Sequence, residues 1–125
     1  MIYLDTSVVL AALFDERRRP EADLWRRPLV SSRLLAYELH TRCHARGVGA
    51  DVAEGVLARV GLVELSPAVL RRALEPFPAP VRTLDALHLA TAMYLADHGQ
   101  RLSIATYDAR MATAAVALGL DVFAG

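Results

Sequence analysis

Four carboxylates in this chain stand where the surrounding pattern favours another residue type. Asp5 follows the apolar run IYL directly, and only Thr6 and Ser7 separate it from the next apolar stretch, VVLAALF. Glu38 sits inside LLAYELH, among Leu34, Leu35, Tyr37 and Leu39. Asp85 lies in RTLDALHLATA, and Asp108 closes RLSIATYD. If the fold gathers these acids, their repulsion must be relieved. Two like charges about 4 Å apart cost on the order of 4 kcal/mol at an effective dielectric of about 20. Either one or more carry a proton, or a divalent cation sits among them. Oxygen ligands without a His or Cys cluster suit Mg²⁺, with Mn²⁺ as the alternative, better than zinc.

Each acid also has a plainer reading. Taken singly, Asp85 and Asp108 are what a helix start favours, through capping and the macrodipole. Glu38 could face solvent, although a mid-helix acid flanked by leucines has no capping task. Asp5 fits the plain reading least, because a solvated acid is out of place directly after a buried strand.

The elements that would position the acids alternate. Residues 2–4 read as a short buried strand, and 6–14 as a helix with Thr6 or Ser7 available as its N-cap. The polar segment 15–28 reads as a loop carrying a helical turn or two, and 29–32 as a second strand. A helix follows from Arg33 to Arg46, closed by Gly47, and another spans 50–60. LVELS (62–66) alternates as a strand, and Pro67 sits at the first-turn position that proline favours. After the proline-rich connector EPFPAPVR, the chain's strongest helix opens near Thr83, carries Asp85 and stops at Gly99. Residues 101–108 form a strand ending in an acid, DARMATAAVALG the last helix and LDVFAG the last strand. Strands alternating with helices imply parallel crossovers and an α/β layered sheet. Such sheets bind ligands beyond the carboxyl ends of their strands, where the topology switches. Asp5 stands at such an end.

A chain of 125 residues is expected to form one domain, 1–125, and its 54% apolar content can cover both faces of a small sheet. No apolar run approaches the roughly 18 residues of a membrane span, and no export signal is read at the N-terminus. Cys43 is the lone cysteine, which excludes an intrachain disulfide and fits a cytoplasmic setting. Fourteen acids balance fourteen bases, all of them arginine, so the chain cannot hold nucleic acid by bulk charge. A polyanionic substrate would need local arginines or bound cations. The run Arg17–Arg18–Arg19 reads as a solvated loop. HTRCH (40–44) lacks a fourth ligand at structural zinc spacing, and His88, one turn after Asp85, reads as a packing or helix-face histidine bordering the pocket. There is no Gly-rich phosphate loop and no G-x-S-x-G elbow.

MIYLDTS, YELH, RTLDALHLATA and IATYDARM, in this order, resemble the motifs of the PIN-domain ribonucleases, and most closely the VapC-type toxins of toxin–antitoxin pairs. The resemblance spans the chain. It implies a PIN-like three-layer α/β sandwich, with a mostly parallel sheet of about five short strands and helices on both faces. It also implies a metal-dependent endoribonuclease that hydrolyses RNA phosphodiester bonds. By position, Asp5, Glu38, Asp85 and Asp108 inherit the catalytic and metal-binding roles, with Mg²⁺ as the expected ion. Thr6, Ser7 and Thr106 match supporting hydroxyls. The implied partners are RNA, a cognate antitoxin and a second copy in a homodimer, with no membrane. The expected protein contact is the region of Leu24 and Trp25 with the Glu38 helix. Two other readings compete. A phosphoaspartyl phosphatase would want an acid at Ser7, and a receiver-like protein a lysine. A non-catalytic PIN-like RNA- or protein-binding module has no need of four repelling carboxylates.

Overall fold

A computed structural model describes residues 1–15 and 17–123; Glu16 in the first loop, and Ala124 and Gly125 at the end of the expected last strand, lie outside the described residues. The strands are β1 (Ile2–Leu4), β2 (Leu29–Ser32), β3 (Gly61–Val63), β4 (Ser103–Ala105) and β5 (Asp121–Val122). They form one sheet in the order β3-β2-β1-β4-β5, and every pairing is parallel. The helices are α1 (Thr6–Phe14), α2 (Leu34–Ala45), α3 (Ala50–Leu57), α4 (Pro67–Leu74), α5 (Thr83–Asp97) and α6 (Ala109–Ala117).

Successive side chains of a strand point to opposite faces, and a sheet covered on both sides must bury both sets. In β1, Ile2 and Leu4 join a core formed with Val8 and Val9 of α1, Leu35 and Leu39 of α2 and Leu57 of α3. Tyr3 points the other way, into a second core with Leu89 and Ala92 of α5 and Met111 and Ala114 of α6. The result is the expected three-layer arrangement. Gly47 and Gly99 end α2 and α5 as expected, both with positive φ (68° and 84°) that an L side chain rarely adopts.

The strands are shorter than the sequence pattern suggests, and polar bonds explain where they stop. Beyond β3, Ser66 turns to accept the Val69 N–H at 3.3 Å and starts α4 ahead of Pro67. Beyond β4, Thr106 Oγ1 accepts the Asp108 N–H at 3.0 Å, which curls the chain out of the ladder.

Leu24 is a correction. It lies on a short 3₁₀ turn (Ala22–Arg26) and is only 1% exposed, sealed into the α1–α2–α3 core. Trp25 packs beside it, half-buried under the Arg59 guanidinium, so Leu24 itself is not an exposed anchor for a partner. The large exposed apolar side chains include instead Leu70 and Leu74 on α4, Leu84 on α5 and Val116 on α6.

The topology fixes where a site can form. From β1 the chain moves outward through β2 to β3, then returns to lay β4 on the other side of β1. The switch point is therefore the crevice between the carboxyl ends of β1 and β4. Asp5 stands there, its N–H bonded to Ala105 O at 3.0 Å.

Candidate active site

Asp5 has the backbone position of the α1 N-cap, yet its side chain makes no cap bond. Thr6 and Ser7, expected as caps, are the first two helical residues, and their hydroxyls turn elsewhere. Ser7 Oγ and Thr106 Oγ1 each lie 2.7 Å from Asp5 Oδ2. Their proton directions follow from the neighbours. Ser7 Oγ accepts the Tyr107 N–H at 3.0 Å and Thr106 Oγ1 accepts that of Asp108, so each hydroxyl is free to donate its own hydrogen to Asp5. A carboxylate only 6% exposed needs such partners, because a buried charge without hydrogen bonds is strongly disfavoured.

Glu38 comes from the middle of α2. Its Oε1 accepts from Thr6 Oγ1 at 2.8 Å and from His88 Nε2 at 2.7 Å. His88, on α5 and 1% exposed, also places Nδ1 2.7 Å from the Tyr3 hydroxyl. With Nε2–H donating to the carboxylate, Nδ1 accepts the Tyr3 O–H, and burial pushes that hydroxyl's pKa upward, so it keeps its proton. The three side chains form a strut across the sheet from Tyr3 to Glu38. His88 therefore does more than pack or border the pocket. The available signal was a polar ring among Leu87, Leu89 and Ala90: a buried imidazole needs partners.

Asp85 and Asp108 meet their plain readings and also reach the same place. Asp108 caps α6, with Oδ1 accepting the N–H groups of Arg110 at 2.9 Å and Met111 at 3.3 Å. Asp85 Oδ2 accepts the Arg82 N–H at 3.4 Å in the first turn of α5. Burial raises the Asp85 pKa, the negative charges of Asp108 and Asp5 raise it further, and the Arg82 N–H and His88 partly oppose them. All four acids line one cleft of about 740 Å³, with Thr6 and Ser7 in its wall.

This arrangement coincides with a family match. The model of the PIN domain matches residues 2–117. The chain belongs to the PIN-domain family. It is similar to ribonuclease VapC46 of Mycobacterium tuberculosis (strain H37Rv), with 39% identity over 130 residues covering 98% of this chain and 96% of the relative. It is also similar to ribonuclease VapC35 of the same species (strain CDC 1551), with 34% identity covering 99% and 96%. No solved structure gives a significant match.

This PIN domain's residues can be tested against a cation. Each acid has one oxygen held by a protein donor, while Asp5 Oδ1, Glu38 Oε2, Asp85 Oδ1 and Asp108 Oδ2 have none among the described residues. Yet among those residues no three Asp, Glu, His or Cys side chains close into a ready-made ligand group. Open oxygens around a roomy cleft fit a small hard ion that keeps several waters, as Mg²⁺ does, better than a closed all-protein cage. HTRCH is a different matter. Cys43 is buried in the core, and His40 Nε2 lies 2.7 Å from Glu54 Oε1.

Proposed function

We propose that this PIN-domain protein is a Mg²⁺-dependent endoribonuclease, with Mn²⁺ as a substitute, acting as the toxin of a toxin–antitoxin pair. The observation that carries the reading is the convergence of Asp5, Glu38, Asp85 and Asp108 on one cleft at the sheet's switch point. Asp5 is the central ligand, its open oxygen aimed by Ser7 and Thr106. Asp85 and Asp108 supply the opposing charge, and Glu38 is held in register by Thr6 and His88. When bound, the ion supplies an activated water and charge stabilisation for in-line hydrolysis of a phosphodiester. The protein's own contribution is to fix four carboxylates that would otherwise repel, each with one oxygen left without a protein donor among the described residues.

The relatives' name, ribonuclease, supports RNA as substrate, and their coverage of nearly the whole chain supports 1–125 as a single nuclease domain. An antitoxin partner, a homodimer and a cytoplasmic setting belong to the same reading. Among the described residues no helix is long and apolar enough to cross a membrane. A phosphoaspartyl enzyme is disfavoured by Ser7, which donates into Asp5 where that chemistry would want a second acid.

The test is cleavage of a labelled single-stranded RNA by the purified chain. Chelator should silence it, and Mg²⁺ or Mn²⁺ should restore it. Cleavage that survives exhaustive chelation, or that persists at full rate in Asp5→Asn, would overturn the assignment.

A further inference from the structure

Beside the acid pocket lies a second cleft, of about 500 Å³, walled by Phe14, Arg18, Arg42, Arg46 and Tyr107. The two share Ser7, Leu10, Arg42 and Asp108, so they are continuous. We propose that this arginine cleft binds the single-stranded RNA backbone flanking the phosphate to be cut. The proposal rests on the nuclease reading above for the identity of its ligand, and three observations carry it.

The first is placement. Arg42 on α2 and Arg46 at its C-cap follow Glu38 at successive four-residue steps, so acid and arginines lie along one side of the helix, Arg42 about 6 Å beyond Glu38 along the axis. Arg18 approaches from the segment after α1. The second is free charge. Arg18, Arg42 and Arg46 are exposed and make no ion pair among the described residues, whereas Arg27, Arg33 and Arg72 each engage an acid. Asp15 also lines the cleft, but its Oδ1 accepts the Arg17 N–H. Three cations thus outnumber Asp15 and Asp108 in a chain with no net charge, next to a pocket that would repel a polyanion.

The third is order. The Arg46 guanidinium lies 4.5 Å from the Phe14 ring centroid, and that of Arg18 lies 5.7 Å from the Tyr107 centroid. Stacking on a ring restrains a long side chain while its N–H edge remains free for phosphate. Guanidinium planes and aromatic faces are also the surfaces on which single-stranded bases stack.

The test isolates the cleft from catalysis. Fluorescence anisotropy of a labelled twelve-nucleotide RNA with the full chain, in chelator and across a salt series, reads binding alone. Three phosphate contacts predict a slope of log affinity on log salt of about −2, and each arginine removed should lower its magnitude by about 0.7. The Arg18→Gln/Arg46→Gln double variant should also weaken binding at least about tenfold at 0.1 M salt. Arg71→Gln, which alters a residue lining neither pocket, should leave slope and affinity unchanged. Thermal melts confirm folding. If the double variant melts early, Arg18→Lys/Arg46→Lys replaces it, keeping the charge but losing the stack, with an intermediate affinity expected. Arginine-dependent binding by a chain that cleaves no RNA would sustain the cleft and sink the nuclease reading. Cleavage by a wild type whose RNA affinity and slope are unchanged in the double variant would overturn the cleft. So would arginine-dependent capture of a poly-glutamate peptide with no arginine-dependent binding of RNA, because the cleft would then serve an acidic protein segment.

Discussion

The acid pocket and the arginine cleft share a wall but are built by opposite means. Around Asp5 and Glu38 the polar atoms are buried or half-buried, the proton directions of Ser7 and Thr106 are set by backbone N–H groups, and support reaches across the sheet to Tyr3. Around Arg18, Arg42 and Arg46 the charges are exposed, and the two stacked guanidiniums rest only on aromatic faces. On the proposed reading, the difference follows from what each charge must do. A group that takes part in chemistry must be held in one geometry, and a buried network provides that at high cost for each partner removed. A group that only attracts a flexible polyanion can stay solvated, where each charge is worth little and works by number. The two regions should therefore respond differently to single substitutions.

The largest effect should come from Asp5→Asn. It keeps the shape, and Ser7 and Thr106 can still donate to the remaining amide oxygen, but the charge at the centre of the acid pocket is lost. Cleavage should fall by roughly 10³-fold or more, beyond the 10- to 100-fold typical of groups that only support a metal ligand. RNA binding in chelator should stay level or tighten, because one repelling charge has gone. Equal loss of binding and cleavage would dissolve the distinction between the two regions.

His88 should come next. His88→Ala removes one of the two donors to Glu38 Oε1 and takes away the Tyr3 hydroxyl's imidazole partner, so activity and Mn²⁺ affinity should each drop about 10- to 100-fold. Tyr3→Phe leaves the His88–Glu38 bond in place and frees only the ring tautomer, so a smaller loss is expected. His88→Gln, whose amide can donate to Glu38, should recover part of the activity. Manganese titration by calorimetry separates this from simple destabilisation. Unchanged metal affinity in His88→Ala, with loss of melting temperature alone, would reduce the strut to packing.

What could be read from the sequence divides along the same line. Asp5 and Glu38 were legible because each interrupts a local pattern, at a strand end or within an apolar helix face, whereas Asp85 and Asp108 stand where a helix start favours an acid and were singled out by the motifs RTLDALHLATA and IATYDARM. Alternating elements then placed the strand-end acids at one edge of a parallel sheet. The Tyr3–His88 pairing was not legible, since eighty-five positions separate the two, and a polar ring among Leu87, Leu89 and Ala90 says that His88 needs a partner without saying which. Only the fold shows that both are buried at the same point between β1 and α5. The capping of α1 misled for a related reason. Thr6 and Ser7 are good local caps, but Glu38, from a distant helix, and the neighbouring Asp5 take their hydroxyls. Arg18 read as solvent-facing, and it is exposed. Its guanidinium nonetheless lies over the ring of Tyr107, in the loop between β4 and α6, a proximity that no local signal encodes.

The smallest expected effect concerns the acid pocket's internal strain. Burial and the charges of Asp108 and Asp5 raise the Asp85 pKa in the folded chain, while the unfolded chain has the ordinary value of about 3.9. The folded state thus holds this proton more tightly than the unfolded state. Between the unfolded value and the raised folded value the folded state holds more bound proton than the unfolded state, so stability declines as pH rises through that window. Below that window Asp85 is protonated in both states and the penalty is absent; above it the penalty is fully present. Asp85→Asn keeps an oxygen for the Arg82 N–H and removes the ionisation. In chelator its melting temperature should match the wild type near pH 3 and exceed it at neutral pH by about 1–3 °C, a modest shift because the side chain is partly solvated. Saturating Mg²⁺ should shrink or reverse that difference, since a bound cation stabilises only the form that keeps the carboxylate. An advantage for Asp85→Asn that is constant from pH 3 to pH 8 would mean that it comes from packing and not from charge, and would remove Asp85 from the interacting group of acids.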